Sequence, residues 1–468
     1  MGRSGLRRFE FAMMELLICF GVLLAAAFAA LALARRFELG VALVLVALLL
    51  DTLFLEAMPG IDIGVWLYPK DVIFCLLLSA AIIRLLPWRW QLRRARWIGV
   101  LLLLMFLLGF LRGLPLYSLK AVGNETRGYF PFLAALLYFS TFKYDRRRQS
   151  HLITIWLAGS VALGIVTVFR WIAGNLGLGI ASQWEMVAGD TPMRVVHSVH
   201  GFYLATAFFF SLYQYYTNSG PTWQRRLFLV LGPVLILLQH RTVWVAVILG
   251  MLWLCARDAR FRTRFTLGVI ASLVVGALLT LLLFGSQADI TRRSLQNSAS
   301  DTGTFAWRVE GWKALLAEKA PPETLLIGQP FGAGFERHME GGTVTVSAHN
   351  FYVETLIQFG IPGVLLLFGL YLWSIGRLRR EPNIPLYPDF RLWQAFLIMH
   401  LSYSLTYSVN YDQAVLLAVV VSVLSDCRSA AAPAMSRSRT PQMKAAAIPG
   451  TRVPALPGSS RVVPAQTS

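Results

Sequence analysis

The chain has 468 residues, of which 56% are hydrophobic and 14% are charged, and its formal net charge is +19 at pH 7. Apolar runs recur from residue 11 to residue 426, which excludes a soluble globular chain and a disordered one. On a soluble protein this charge would favour nucleic-acid binding, but here the basic residues lie in short loops between apolar runs, where they set membrane orientation. No nucleic-acid partner is therefore expected.

The apolar runs predict membrane-spanning helices rather than barrel strands. They are uniformly apolar instead of alternating, and lipid offers the backbone no hydrogen-bond partners. We therefore predict an all-α polytopic membrane protein with about 12–13 transmembrane helices, since a span needs roughly 20 apolar residues. The predicted spans are 11–34, 38–57, 68–86, 97–114, 127–142, 151–173, 197–216, 225–238, 241–256, 265–285, 349–375, 391–409 and 411–426.

Charge predicts the orientation of these spans. Basic residues are concentrated in loops that the positive-inside rule places in the cytoplasm. These loops are 84–96, 143–148, 225–226, 257–264, 377–380 and the segment after 427. The intervening segments then face the periplasm, and 286–348 becomes one large periplasmic loop. Counted backwards, the same alternation puts the N-terminus outside although its three arginines favour the inside, so the number of N-terminal spans stays open.

Composition divides the chain into two regions. Residues 1–426 form the predicted transmembrane domain, whereas 427–468 are rich in Ala, Pro, Ser and Arg. That C-terminal region is predicted to be a disordered cytoplasmic tail, because it has too few apolar residues to pack. The cysteines have neither CxxC nor Cys/His ligand spacing, so no disulfide framework, metal site or cofactor is predicted.

An arginine is predicted near the outer membrane surface. Residues 227–255 have basic flanks and carry Gln239, His240 and Arg241 at their centre, which predicts a helical hairpin with these residues at its apex. Each arm has about 13 apolar residues, or roughly 20 Å of helix, which is less than a bilayer core of about 30 Å. Arg241 would then lie close to a lipid phosphate. Alternatively, its side chain only snorkels to the outer headgroups.

The predicted periplasmic loop carries a second arginine. A short amphipathic helix is predicted at 304–319, with Arg308 on its first turn. Arg308 can also be part of a solvated face, as isolated arginines often are. The apolar residues at helical spacing are Phe305, Trp312, Leu315 and Leu316.

A glycine-rich turn follows this helix. Gly334 within it can bring the backbone close to a ligand, but no Lys-Ser/Thr pair opens a helix there, so a phosphate loop is not predicted.

A histidine and an asparagine precede the next apolar run. His349 and Asn350 are followed after nine residues by Gly360 and, three positions later, by Gly363. With an ordinary pKa near 6.5, a histidine can accept a proton at neutral pH. The asparagine can hold a sugar or orient the ring. The histidine can instead only cap the helix or bind a carbonyl.

This H-N-x9-G-x-x-G pattern resembles the O-antigen ligase and polymerase family of bacterial membrane glycosyltransferases. The R-x3-W helix (Arg308, Trp312), the G-x-G-F turn that contains Gly334, and the arginine that opens a span (Arg241) support the resemblance. It implies an inner-membrane enzyme with its active site on the periplasmic side. Its implied substrates are an undecaprenyl-diphosphate-linked glycan donor and a glycan or glycolipid acceptor, in contact with membrane lipid, and the family works without a metal.

The resemblance also assigns roles to residues. Arg241 and Arg308 would hold the diphosphate and His349 would activate the acceptor hydroxyl. The predicted substrate contacts are Asn350, Arg127, Arg194, His200, Trp312 and Gly334; for Arg194 and His200 a structural role is an equal alternative. Ligase and polymerase activity both fit. A transporter or flippase of lipid-linked glycan, and a scaffolding protein, are alternatives, but the charges gather on one side rather than along a midplane path.

Overall fold

The computed structural model describes residues 20–54, 58–86, 94–176, 194–257, 303–340, 342–381 and 383–437, together with parts of 261–278. The predicted span 265–285 therefore lies mostly outside the described residues, as do the start of the first span and the region 438–468.

The helices of the first half, in chain order, are α1 (Phe20–Arg35), α2 (Phe37–Phe54), α3 (Pro69–Leu85), α4 (Arg94–Gly113), α5 (Leu119–Thr126), α6 (Phe130–Ser140) and α7 (Arg146–Asn175). Those that follow are α8 (Ser198–Thr217), α9 (Thr222–Arg226), α10 (Phe228–Leu237), α11 (Arg241–Arg257), α12 (Gly303–Lys319), α13 (Pro322–Ile327), α14 (Phe351–Arg380), α15 (Phe390–Tyr403) and α16 (Tyr411–Arg437). Two antiparallel hairpins pair β1 (Ile61–Asp62) with β2 (Trp66–Leu67) and β3 (Arg337–Met339) with β4 (Gly342–Val344).

The predicted all-α polytopic membrane fold is confirmed, because the described helices coincide with the predicted spans. Three of them are long and apolar enough to cross a membrane by length and composition: Phe37–Phe54, Arg146–Ala173 and Phe351–Arg380. Shorter apolar helices are Phe20–Arg35, Trp97–Gly113 and Phe130–Ser140. The last helix, α16, continues to Arg437, past its predicted end at 426.

The centre of the bundle is formed by helices that are apolar on every side. Almost every residue of α8 up to Gln214 is buried, and so is the stretch of α16 from Ala414 to Leu424. A helix without a polar face is surrounded by lipid or by other helices. Accordingly, α8 packs against α7, α10, α11 and α15.

The arginine-rich loops meet at one end of the bundle. Arg84 Nε donates to Thr141 Oγ1 at 2.8 Å, and Gln149 Nε2 donates to the Pro385 carbonyl at 3.0 Å. The Tyr213 hydroxyl donates to Asp389 at 2.6 Å. The described parts of the segments predicted to face the periplasm lie at the other ends of the same helices, where α14 begins.

Helix α14 is kinked at Gly360, where φ is +66°. A Cβ on Gly360 would lie 2.8 Å from the carbonyl oxygen of Leu325, at the end of α13. A Cβ on Gly363 would overlap the Cβ of Phe359. The two glycines of the H-N-x9-G-x-x-G pattern are therefore needed for a left-handed backbone and for close packing.

The helix predicted at 304–319 is present as α12, but only part of its expected apolar face packs. Leu315 is fully buried, and Trp312 packs with it against α14. Phe305 and Leu316 remain exposed. The helix therefore uses one edge to hold the start of α14 and leaves the other uncovered.

Candidate active site

The candidate site lies where α14 begins. Asn350 is the N-cap residue: its side-chain oxygen accepts hydrogen bonds from the backbone N–H groups of Tyr352 at 3.0 Å and Val353 at 3.2 Å. The Phe351 N–H donates to the carbonyl of Ser404 at 2.9 Å. Asn350 is 6% exposed, and capping α14 is a role that the sequence did not predict for it. Its contact with a sugar stays a prediction.

His349 precedes the cap in a left-handed backbone conformation with φ of +49°. Two side chains fix the segment that leads to it. Trp312 Nε1 donates to the Ala348 carbonyl at 2.7 Å, and Arg337 donates to the Val346 carbonyl at 2.7 Å. A non-glycine residue with positive φ stores strain and is held only where its surroundings over-determine it. The backbone conformation of His349 is therefore held in place by these surrounding hydrogen bonds.

Arg308 and His349 both contact Tyr407, from the loop between α15 and α16. The guanidinium carbon of Arg308 lies 5.0 Å from the centroid of the Tyr407 ring, and the His349 ring centroid lies 6.3 Å from it. Arg308 forms no ion pair with a carboxylate of the described residues. The site thus combines an imidazole with a guanidinium whose charge is not neutralised by these carboxylates.

His349 lies outside the membrane-spanning helix, and its surroundings disfavour protonation. Burial lowers its pKa most, and the positive charges of Arg308 and Arg337 lower it further, to about 4. The imidazole is therefore neutral at pH 7 and can accept a proton. An anion bound at Arg308 would offset part of this positive charge and raise the pKa.

Arg241 begins α11 at the same end of the bundle. Its neighbour Thr242 accepts a hydrogen bond from Thr406 at 2.8 Å, and Thr406 directly precedes Tyr407. The hairpin apex is also tied to the segment before α8, since His240 Nε2 lies 2.9 Å from the Val196 carbonyl oxygen. The structure therefore places Thr242, the residue after Arg241, against the loop whose Tyr407 contacts both Arg308 and His349.

Residues 226–368 match the family model described as O-Antigen ligase. The matched segment includes Arg241, Arg308, His349 and the glycines of α14. Over this segment the chain is similar to the O-antigen ligase family. The match supports a glycan-transferring membrane enzyme. No curated protein matches the chain.

Arg194 and His200 precede the matched segment in the chain and lie at the same end of the bundle. Arg194 lies near the buried ring of His240. His200 is 1% exposed, and its ring centroid lies 5.8 Å from that of His197. Burial removes His200 from direct contact with a large substrate. The segment between them is anchored by Arg170, which donates to the Val195 carbonyl at 2.7 Å.

Arg127 has protein partners of its own. Its Nε lies 3.2 Å from Asp71 Oδ2, and its Nη1 donates to Asn124 at 2.7 Å. The guanidinium also lies over the Tyr68 ring, 4.7 Å from the centroid. These contacts anchor α5 to the start of α3. They favour a structural role over the predicted phosphate contact.

The backbone N–H of Gly334 binds a carboxylate of the protein itself, that of Glu125. The N–H groups of Gly332 and Gly334 donate to the Glu125 carboxylate, the second at 3.2 Å. The side-chain amides of Gln329 and Gln358 donate to the same carboxylate. Burial raises the pKa of Glu125, and the four donors oppose that rise. The predicted ligand of the glycine turn is thus replaced by an internal carboxylate that ties α5 to α14.

Sequence reasoning missed several residues of the site. Tyr407 and Ser408 lie in a short polar turn between two spans. Arg337 begins β3, within a predicted loop whose sequence shows no periodicity. Glu354 is on the first turn of α14, and an ionisable residue predicted to lie within a span is a signal that could have identified it.

Proposed function

We propose that the protein transfers a glycan from an undecaprenyl-diphosphate donor to an acceptor hydroxyl, as an O-antigen ligase or a surface polysaccharide polymerase. One observation carries the proposal: Arg308, without a carboxylate partner among the described residues, and a neutral His349 flank the same tyrosine. A cation for the leaving group and a base for the acceptor are the two parts that this reaction needs.

On the donor side, Arg308 and Arg241 would bind the diphosphate. A guanidinium stays charged at every working pH and can donate two parallel hydrogen bonds to phosphate oxygens. Negative charge grows on the leaving diphosphate as the glycosidic bond breaks. A donor placed to receive that charge typically contributes about 2.7–4 kcal/mol to the transition state.

On the acceptor side, His349 would remove the hydroxyl proton. The acceptor oxygen forms a bond to the anomeric carbon while the bond from that carbon to the diphosphate oxygen breaks, and the proton passes to the imidazole. Attack opposite the leaving group inverts the anomeric configuration. General-base assistance of this kind contributes on the order of 10²–10⁴-fold in rate. In this proposal all catalytic groups are side chains, and no metal takes part.

We further propose that this end of the bundle faces the periplasm of a bacterial inner membrane. The arginine-rich loops lie at the opposite end, and such loops stay in the cytoplasm. Exposed apolar residues near the Gly360 kink of α14, including Leu326 and Ile361, would let the polyprenyl chain remain in lipid while its diphosphate reaches Arg308.

Transfer by purified protein tests the proposal. An undecaprenyl-diphosphate glycan would be supplied with a glycolipid acceptor or with a second donor molecule, with and without chelator. Wild type would be compared with His349→Ala, Arg308→Ala and Arg241→Ala. We expect chelator-resistant transfer, an inverted product and strong loss in each variant. Retained activity in all three variants, or a retained anomeric configuration, would refute it. The acceptor that is used separates ligase from polymerase.

A further inference from the structure

A buried carboxylate links the two segments that carry His349 and Tyr407. Glu354 lies on the first turn of α14, one helical turn past the N-cap, and is 4% exposed. Its Oε2 accepts a hydrogen bond from the hydroxyl of Ser408, the residue after Tyr407. On its other side, the hydroxyl of Ser347 and the backbone N–H groups of Ala348 and His349 face the same carboxylate.

We propose that Glu354 is a positioning residue that sets the distance between His349 and the tyrosine supporting Arg308. The inference rests on the proposed function, since it concerns how that site is assembled. Glu354 faces the backbone of His349, whose φ is left-handed, and bonds the neighbour of Tyr407. One side chain therefore links the segment that carries His349 to the segment that carries Tyr407.

The carboxylate fits this role because it is not offered to substrate. It forms no ion pair with Arg308 or Arg337 among the described residues, so Arg308 keeps its charge for a phosphate. Buried charges are retained where several hydrogen bonds hold them. A carboxylate needed only for helix dipole compensation could be exposed, as Glu323 on the first turn of α13 is.

The effect of losing this link follows from geometry. Displacing a reacting group by about 1 Å can cost on the order of 10²-fold in rate. The Glu354 carboxylate faces the backbone N–H of His349, whereas in the proposed function the donor is bound by arginines on α11 and α12. We therefore expect loss in kcat rather than weaker donor binding.

The test compares Glu354→Ala, Glu354→Gln and Ser408→Ala with wild type, with the exposed Glu318→Ala as control. We expect Glu354→Ala to lower kcat by about 30–100-fold with the donor KM within about twofold. Glu354→Gln keeps an acceptor for Ser408 and should restore much of the rate. In the double variant, Ser408→Ala should add little further loss to that of Glu354→Ala, because Glu354→Ala already removes the hydrogen bond between these two side chains.

Two results would overturn the inference: wild-type kcat in Glu354→Ala, or an equal loss in Glu318→Ala. If Glu354→Ala does not fold, as judged by thermal unfolding in detergent, the comparison of Glu354→Gln and Ser408→Ala decides, and unchanged kcat in both refutes the role. Failure of the proposed function is a separate outcome, seen as full transfer by His349→Ala.

Discussion

Removing the charge of Arg308 should abolish transfer with little effect on folding. In the structure the guanidinium makes one aromatic contact, at 5.0 Å from the Tyr407 ring centroid, and no ion pair with a described carboxylate. A cation–π contact at a partly exposed position contributes about 0.5–1 kcal/mol. A cation placed on a developing diphosphate contributes about 2.7–4 kcal/mol, which is roughly 10²–10³-fold in kcat. The catalytic loss in Arg308→Ala should therefore far exceed the loss of stability.

The assay is transfer from a lipid-diphosphate glycan at saturating donor, with thermal unfolding measured on the same preparations. Arg308→Lys keeps the charge but not the planar fork, so it should fall between wild type and Arg308→Ala. Lys313→Ala removes an exposed cation from the same helix and should behave as wild type. The reasoning would be refuted if Arg308→Ala kept its rate within about threefold, or if Lys313→Ala lost as much.

Three further predictions concern pH and architecture. The pKa of His349 is lowered to about 4 in the free protein, and a bound diphosphate should raise it. In pH–rate profiles the acid limb of kcat/KM, which reports the free enzyme, should therefore lie at lower pH than the acid limb of kcat. Acid limbs that coincide would contradict this. Gly360→Ala should lower the free energy of unfolding by more than about 1 kcal/mol, because φ is +66° and the new Cβ meets Leu325, whereas Gly369→Ala, which meets no atom within 4 Å, should not. Glu125→Ala should cost about 1–3 kcal/mol in thermal unfolding by orphaning buried donors, and the exposed Lys120→Ala on the same helix is its control.

Much of the fold could be predicted because a membrane-spanning helix is specified by its own contiguous stretch of sequence. Each span is a contiguous apolar run, so α2, α7 and α14 are legible without knowledge of their neighbours. The basic loops can also be predicted from the sequence, and in the structure they lie at one end of the bundle. The end of α16 could not be predicted, because its last residues, up to Arg437, are too polar to indicate a span.

The candidate site could be predicted only where an ionisable side chain lies at the end of an apolar run. Arg241 and His349 are conspicuous because they lie at the ends of spans predicted to face the periplasm, whereas basic residues are concentrated in the predicted cytoplasmic loops. The partners of Gly334 were not predictable, since Glu125 lies more than two hundred residues earlier and nothing local links them. Likewise, the pairing of Arg127 with Asp71 depends on how α3 meets α5.

The left-handed backbone at His349 shows how these two kinds of information combine. Left-handed backbone at a non-glycine residue costs about 1–3 kcal/mol, and glycine at the same position would remove that strain. Glycine, however, would also remove the imidazole beside Arg308. The surrounding bonds, from Trp312 to the Ala348 carbonyl and from the Phe351 N–H to Ser404, hold the strained conformation in place. A helix cap alone needs none of this, because Asn350 already provides it. The strain at His349 therefore argues for a role of its ring in chemistry, and its orientation depends on contacts distant in sequence.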